Sequence, residues 1–259
     1  MTEHRPDGAG LPPLRWHRTA PATGPGEGAA DAPTFLLVHG VGLSHRSFSR
    51  LAAVLAPHGT VLAPDLPGHG RAPGAGRRTT IDEIAASVAA GLAARLLGSG
   101  PVVVLGHSLG AEVATAVARQ RPELVHGLVL VGPVVDPAAP TAVGQGLRLA
   151  RDMLVEPPLT AVMVDREYVH CGPVTYGAGV RSMLRWSTLD GLAGLEVPLL
   201  VVRGARDPIA PTRWSEQLRA RVDDGTVLEV PRAVHNLVHS HPEEVGGAVL
   251  ALAARLRRP

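Results

Sequence analysis

The chain is expected to form an α/β fold, a mostly parallel sheet with helices on both faces. Three observations predict this. Short runs of branched apolar residues alternate with segments whose apolar residues recur at helical spacing, the signature of strand–helix–strand units. Gly106-His107-Ser108-Leu109-Gly110 lies between one such run, Val102 to Leu105, and the alanine-rich stretch Ala111 to Arg119. Ser108, Asp207 and His235 each lie just past the end of a strand-length run. Parallel strands would carry all three to one edge of the sheet, where open α/β sheets keep their ligand sites.

Met1 to about Pro13 is polar, rich in Gly and Pro, and reads as a flexible tail. Leu14 to Ala20 is a candidate first strand with Trp16 as anchor, and Ala22 to Ala32 a loose turn after it. Thr34 to Val38 forms the next strand and runs into His39-Gly40-Val41-Gly42. Ser47 to Leu55 has Phe48, Leu51, Ala52 and Leu55 on one helical face. Thr60 to Ala63 is a strand, followed by the turn-rich Asp65 to Gly70. A helix is expected from Thr80 to about Leu97, with Thr80 as N-cap and Glu83 at the capping-box position. Val102 to Leu105, His126 to Val131, Val197 to Val202 and Thr226 to Val230 supply the remaining strands. Leu109 to Arg119, Arg213 to Arg221 and Pro242 to Arg255 supply the helices among them. Residues 134–195 break the rhythm. They offer helical pieces, about Gly144 to Met153, Pro158 to Val169 and Val174 to Trp186, and no convincing strand.

The glycine-flanked serine carries specific chemistry. A strand that turns sharply into a helix leaves almost no room for side chains two positions before and after the turn residue, and Gly106 and Gly110 meet that need. The serine hydroxyl is then presented beside the start of a helix, where partial positive charge favours a developing oxyanion. Serine at its own pKa is a poor nucleophile and needs a base within hydrogen-bond reach, itself held by a partner. His235 is the candidate base and Asp207 the candidate orienting acid. Asp136 is a second candidate acid, and His239 and His241 lie close behind His235 in the sequence. Backbone N–H groups of Val41 and Leu109 are the candidate oxyanion donors. His45 and Arg46 follow the first glycine loop and could read a substrate carboxylate or carbonyl. Tyr168 and Trp186 are the favoured pocket residues from a group that also includes Met153, Met163, Tyr176 and Met183. His39, His69 and His107 are expected to orient backbone or pack.

The chain resembles the α/β-hydrolase-fold serine hydrolases. The resemblance is carried by Leu36 to Gly42, Ala63 to Gly70, Gly106 to Gly110, Val201 to Pro208 and Val234 to Asn236, in the family's order and at similar spacings. It implies an eight-stranded sheet whose first two strands run antiparallel to the rest. It also implies a core of residues 14–133 and 196–259, and a small helical lid over the active site from 134–195. It places the acid most often after the strand that here ends before Asp207, and the base directly after the last strand, at His235. The implied activity is hydrolysis of a carboxylic ester, lactone or thioester through an acyl-serine intermediate. Lyase, cyclase and cofactor-free perhydrolase or haloperoxidase chemistry occur on the same fold, as do binding proteins without catalysis. Epoxide and haloalkane hydrolases need a carboxylate where Ser108 stands.

Composition excludes other classes. The 259 residues carry a formal net charge of +2, with no lysine. No basic cluster alternates with aromatics, so no nucleic-acid partner is expected. Pro, Gly or charge interrupts every apolar run, so no membrane span is expected either. The single cysteine, Cys171, permits no internal disulfide, and the N-terminus lacks the apolar core of a secretion signal. A soluble, cytoplasmic protein with a small-molecule substrate is expected. The twelve histidines show no ligand spacing such as H-E-x-x-H, so neither metal nor other cofactor is expected. Oligomeric state leaves no trace in the sequence.

Overall fold

The computed structural model describes residues 10–19, 31–96, 98–138, 141–153 and 155–256. Among them a seven-stranded sheet runs in the order β1-β3-β2-β4-β5-β6-β7. The strands are β1 (Arg15–Thr19), β2 (Thr34–Val38), β3 (Thr60–Asp65), β4 (Val102–His107), β5 (Gly127–Val131), β6 (Leu199–Gly204) and β7 (Gly225–Val230). Only β1 is antiparallel, pairing with β3. β2 lies parallel to both β3 and β4. The sheet therefore has seven strands rather than eight among the described residues, and one antiparallel strand rather than two. Each observed strand falls on a segment read as a strand from the sequence. The expected turn between β1 and β2 falls mostly on residues 20–30, outside the described residues, as do residues 1–9 of the expected tail. Pro12, assigned to that tail, is buried.

The helices are α1 (Ser49–Leu55), α2 (Ile81–Ala93), α3 (Leu109–Gln120), α4 (Ala142–Met153), α5 (Pro158–Met183), α6 (Thr188–Leu192), α7 (Thr212–Arg219), α8 (Leu237–Ser240) and α9 (Pro242–Leu256). α2 starts where its capping box predicts. Thr80 Oγ1 accepts from the Glu83 amide at 3.2 Å, and Glu83 Oε2 accepts from the Thr80 amide at 2.9 Å.

Alternation along the strands sorts the core into two layers. Leu36, Val104, Leu128, Leu130 and Val201 face one side, against α2, α3 and α7. Phe35, Leu37, Val103, Leu105, Val129 and Val202 face the other, against α1 and α9. Every residue of β4, β5 and β6 is buried, as expected of parallel strands covered on both faces. No helix among the described residues is long and apolar enough to cross a membrane.

Between β5 and β6, the described residues of 134–195 form α4, α5 and α6 and no strand. α5 breaks at Gly172, whose φ of 74° and ψ of 160° are not helical, and Pro173 follows.

Candidate active site

β4 ends at His107, and α3 begins at Leu109 with Ser108 as its N-cap. Ser108 is held at φ 56° and ψ −125°, a conformation that costs a residue with a side chain of order 1–3 kcal/mol. Close packing imposes it. A Cβ on Gly106 would come within 2.0 Å of the Gly110 carbonyl oxygen, and one on Gly110 within 2.0 Å of the Val38 carbonyl oxygen. The strand and helix can therefore meet only through two glycines. The Ser108 amide donates to the Val131 carbonyl at 3.0 Å, which ties the turn to β5.

Asp207 follows β6, and His235 follows β7. His235 Nδ1 lies 2.9 Å from Asp207 Oδ2. An ionised carboxylate only accepts, so Nδ1 carries the hydrogen and Nε2 is left for a hydroxyl. Asp207 Oδ1 accepts from the amides of Ile209 and Ala210 at 2.8 and 3.1 Å. Burial disfavours charge on Asp207, but the His235 charge and these hydrogen bonds hold its carboxyl below its ordinary value. Burial likewise opposes charge on His235. Asp207 outweighs it, with help from Asp152 and Glu156, and the imidazole is pushed up to about 9.

Ser108 and His235 line one cavity of about 120 Å³, together with Val41, Leu43, Tyr168, Tyr176, Met183 and Ile209. Among the described residues no hydrogen bond joins Ser108 to His235, a contact that commonly tightens only with substrate bound. The loop after β2 passes beside the serine, since a Cβ on Gly40 would lie 3.4 Å from Ser108 Oγ. The Leu109 amide is the first of α3 and has no acceptor within its helix. A larger groove of about 570 Å³ runs between residues 66–79 and the second half of α5. It includes Leu109 but not Ser108, so the chemistry belongs to the smaller cavity.

Of the expected substrate-binding residues, Tyr168 lines the cavity, edge-to-face with Tyr176 at 5.3 Å. His45, Arg46 and Trp186 do not. His45 Nδ1 donates to Asp65 Oδ1 at 2.7 Å and its ring stacks on His17 at 3.4 Å. Arg46 pairs with Glu167 at 3.3 Å. Trp186 Nε1 donates to Asp82 at 3.3 Å, and its ring packs against Gly191. Each has a nearer polar partner that turns it from the cavity. Asp136 is bound by Arg148 at 2.9 Å and by Arg213, so it serves an ion-pair cluster. His39 and His107 orient backbone. His39 Nδ1 donates to the Gly40 carbonyl and its Nε2 accepts from the Leu66 amide. His107 Nε2 donates to the His235 carbonyl at 3.0 Å. Burial lowers both imidazoles to about 3, keeping them neutral.

Among the described residues, His17, His45 and Asp65 could gather around a metal ion. Here both Asp65 oxygens are already engaged. Each takes one imidazole nitrogen, and the amides of His45 and Arg71 add a further donor apiece. Burial opposes charge on Asp65, but the two imidazole hydrogen bonds hold its carboxyl far below the usual range.

Two residues near His235, Asp152 and Glu156, belong to no motif in the sequence. The His235 amide donates to Asp152 Oδ1 at 3.0 Å, and Asn236 Nδ2 donates to Glu156 Oε2 at 2.9 Å. Asp152 lies near the end of α4 and Glu156 four positions further along the chain, between α4 and α5. That spacing was visible in the sequence, but not what the two carboxyls face.

Comparison with known proteins agrees with the fold. The model of the alpha/beta hydrolase family matches residues 35–248. A pimeloyl-[acyl-carrier protein] methyl ester esterase of Aromatoleum aromaticum is 28% identical over 248 residues, covering 83% of this chain and 95% of that protein. Lipase LipV of Mycobacterium tuberculosis is 44% identical over 108 residues, covering 42% of this chain and 40% of that one. Among solved structures, an esterase from Thermogutta terrifontis superposes with a TM-score of 0.77 at 22% identity, covering 95% of this chain and 94% of its own. With the family model spanning most of the chain, the elbow, the parallel sheet and the order of strands have one source: this protein belongs to the alpha/beta hydrolase family.

Proposed function

We propose that the protein hydrolyses a carboxylic ester, lactone or thioester through an acyl-Ser108 intermediate. The observation that carries this reading is the Asp207–His235 pair, opening on the cavity that also holds the strained Ser108. The names of the similar proteins, an ester esterase and a lipase, point the same way.

Ser108 Oγ attacks the substrate carbonyl carbon while its proton passes to His235 Nε2. Asp207 holds the imidazole in the tautomer that leaves Nε2 free, and stabilises the imidazolium. The carbonyl oxygen becomes an oxyanion between the N–H groups of Val41 and Leu109. The bond to the leaving group breaks, and the leaving oxygen or sulfur takes the proton from His235. Water, deprotonated by the same imidazole, then cleaves the acyl-serine and releases the acid. The lining favours a small, largely apolar acyl group, since Val41, Leu43, Leu149, Val180, Met183 and Ile209 all belong to the wall. The helices of 134–195 act as the lid in this reading, because Leu149, Tyr168, Tyr176, Val180 and Met183 belong to them.

Replacing Ser108 with alanine is expected to lower turnover of short activated esters by roughly 10⁶ and to abolish labelling by a serine-directed fluorophosphonate. Labelling that persists in the variant refutes the assignment.

A further inference from the structure

We propose that Asp152 and Glu156 act as positioning residues for His235, a paired-carboxyl clamp on the insertion that holds the base's loop and sets its basicity. The proposal rests on the reading of His235 as the base.

The contacts are specific. The clamp takes two consecutive residues of the β7–α8 loop by two different atoms, the backbone N–H of His235 and the side-chain amide of Asn236. Asp152 is 1% exposed. Glu156 Oε1 is buried with no donor aimed at it. A buried carboxylate oxygen without a donor is costly, and the cost vanishes if that oxygen carries a proton. The neighbouring Asp152 carboxylate is the acceptor such a proton would find, so the two groups share one hydrogen and one negative charge between them. Burial raises both carboxyls, and for Glu156 the adjacent Asp152 raises it further.

Groups from every surrounding element face this centre. Asp207 on the β6–α7 loop holds His235 Nδ1, while His107 at the end of β4 holds the His235 carbonyl and stays neutral. Tyr168 of α5 lies within electrostatic reach of both clamp carboxyls. Asp207 therefore lies on the imidazole ring and the clamp on its backbone side. A negative charge on Asp152 favours the imidazolium, so it moves the neutral, catalytically competent form of His235 to higher pH. Glu156 adds a second increment when it ionises.

The test is the acid limb of kcat/KM against pH, which reports the pKa of the free enzyme's base. Asp152→Asn keeps an oxygen for the His235 amide and removes the charge. Its midpoint is expected to fall by about one pH unit, the scale of a nearby charge. Asp152→Ala removes both, and is expected to show the same shift and a lower plateau rate as well. In the wild type the coupled carboxyls spread the limb over more than one step. Glu156→Gln cannot ionise, so its limb is expected to sharpen to a single titration. Midpoints and limb shapes identical to wild type in all three variants overturn the clamp. A direct titration of the His235 ring by NMR in the Ser108→Ala background reads the same midpoint without turnover. A ring midpoint shifted by Asp152→Asn, together with no ester hydrolysis by the protein that keeps Ser108, would sink the ester-hydrolase reading and leave the clamp standing. An unshifted midpoint in an active esterase would do the reverse.

Discussion

A serine at φ 56° survives because the residues two positions before and after it lack side chains and its helix supplies an N-terminus. The charges around it are arranged with similar economy. Asp207 and His235 each offset the other's burial, which depresses the carboxyl and raises the imidazole to about 9. The pair therefore contributes to stability only in a window. Its acid side is lost as pH falls through the depressed Asp207 value. Its alkaline side fades as pH rises from the ordinary histidine value through about 9. Asp207→Asn separates basicity from orientation. It lowers the His235 pKa, so more imidazole is neutral at pH 7, yet it permits the wrong tautomer. Ester turnover is expected to fall about 10⁴-fold despite that gain. A rate that rises at pH 7 would show that Asp207 does not orient the base.

At the scale of elements, α5 is two helices joined at a glycine. Tyr168 comes from the first half, Tyr176, Val180 and Met183 from the second, and all four face the Ser108 cavity. Gly172 makes that possible, since φ 74° with ψ 160° is open in practice only to glycine. Nothing lies within 4 Å of a Cβ built there, so Gly172→Ala tests conformation without a clash. It is expected to destabilise the fold by about 1–3 kcal/mol and to raise KM for small esters more than it lowers kcat. Thermal unfolding and steady-state kinetics measure the two effects. An unchanged Tm and KM would mean that the break does not shape the cavity.

At the scale of the molecule, the sheet is a wall between two apolar layers, and the site rests on its carboxyl edge. Phe35 is fully buried in the layer under α1 and α9, opposite the face that carries α3. Phe35→Ala is expected to cost about 3–5 kcal/mol through lost burial and a cavity, lowering Tm by roughly 10 °C. The pH profile of the folded enzyme is expected to stay unchanged, because Phe35 does not line the Ser108 cavity. A shifted profile measured below Tm would mean that the two faces are mechanically coupled.

The order of strands and helices, the elbow at Ser108, the capping box at Thr80 and the pairing of Asp207 with His235 were all legible in the sequence. Each depends on local rules: alternation, helical period, the space a glycine leaves, and a polar residue placed just past a strand end. The break in the long helix was legible too, as Gly172-Pro173. What tertiary structure alone decided was where long polar side chains point. His45, Arg46 and Trp186 follow the right segments but turn to Asp65, Glu167 and Asp82, because a polar group settles on the nearest partner in space, which spacing along the chain does not specify. Asp152 meets His235, and Glu156 meets Asn236, across about eighty positions for the same reason. Local geometry is written in neighbouring residues, whereas the company a buried charge keeps is set only when distant segments pack.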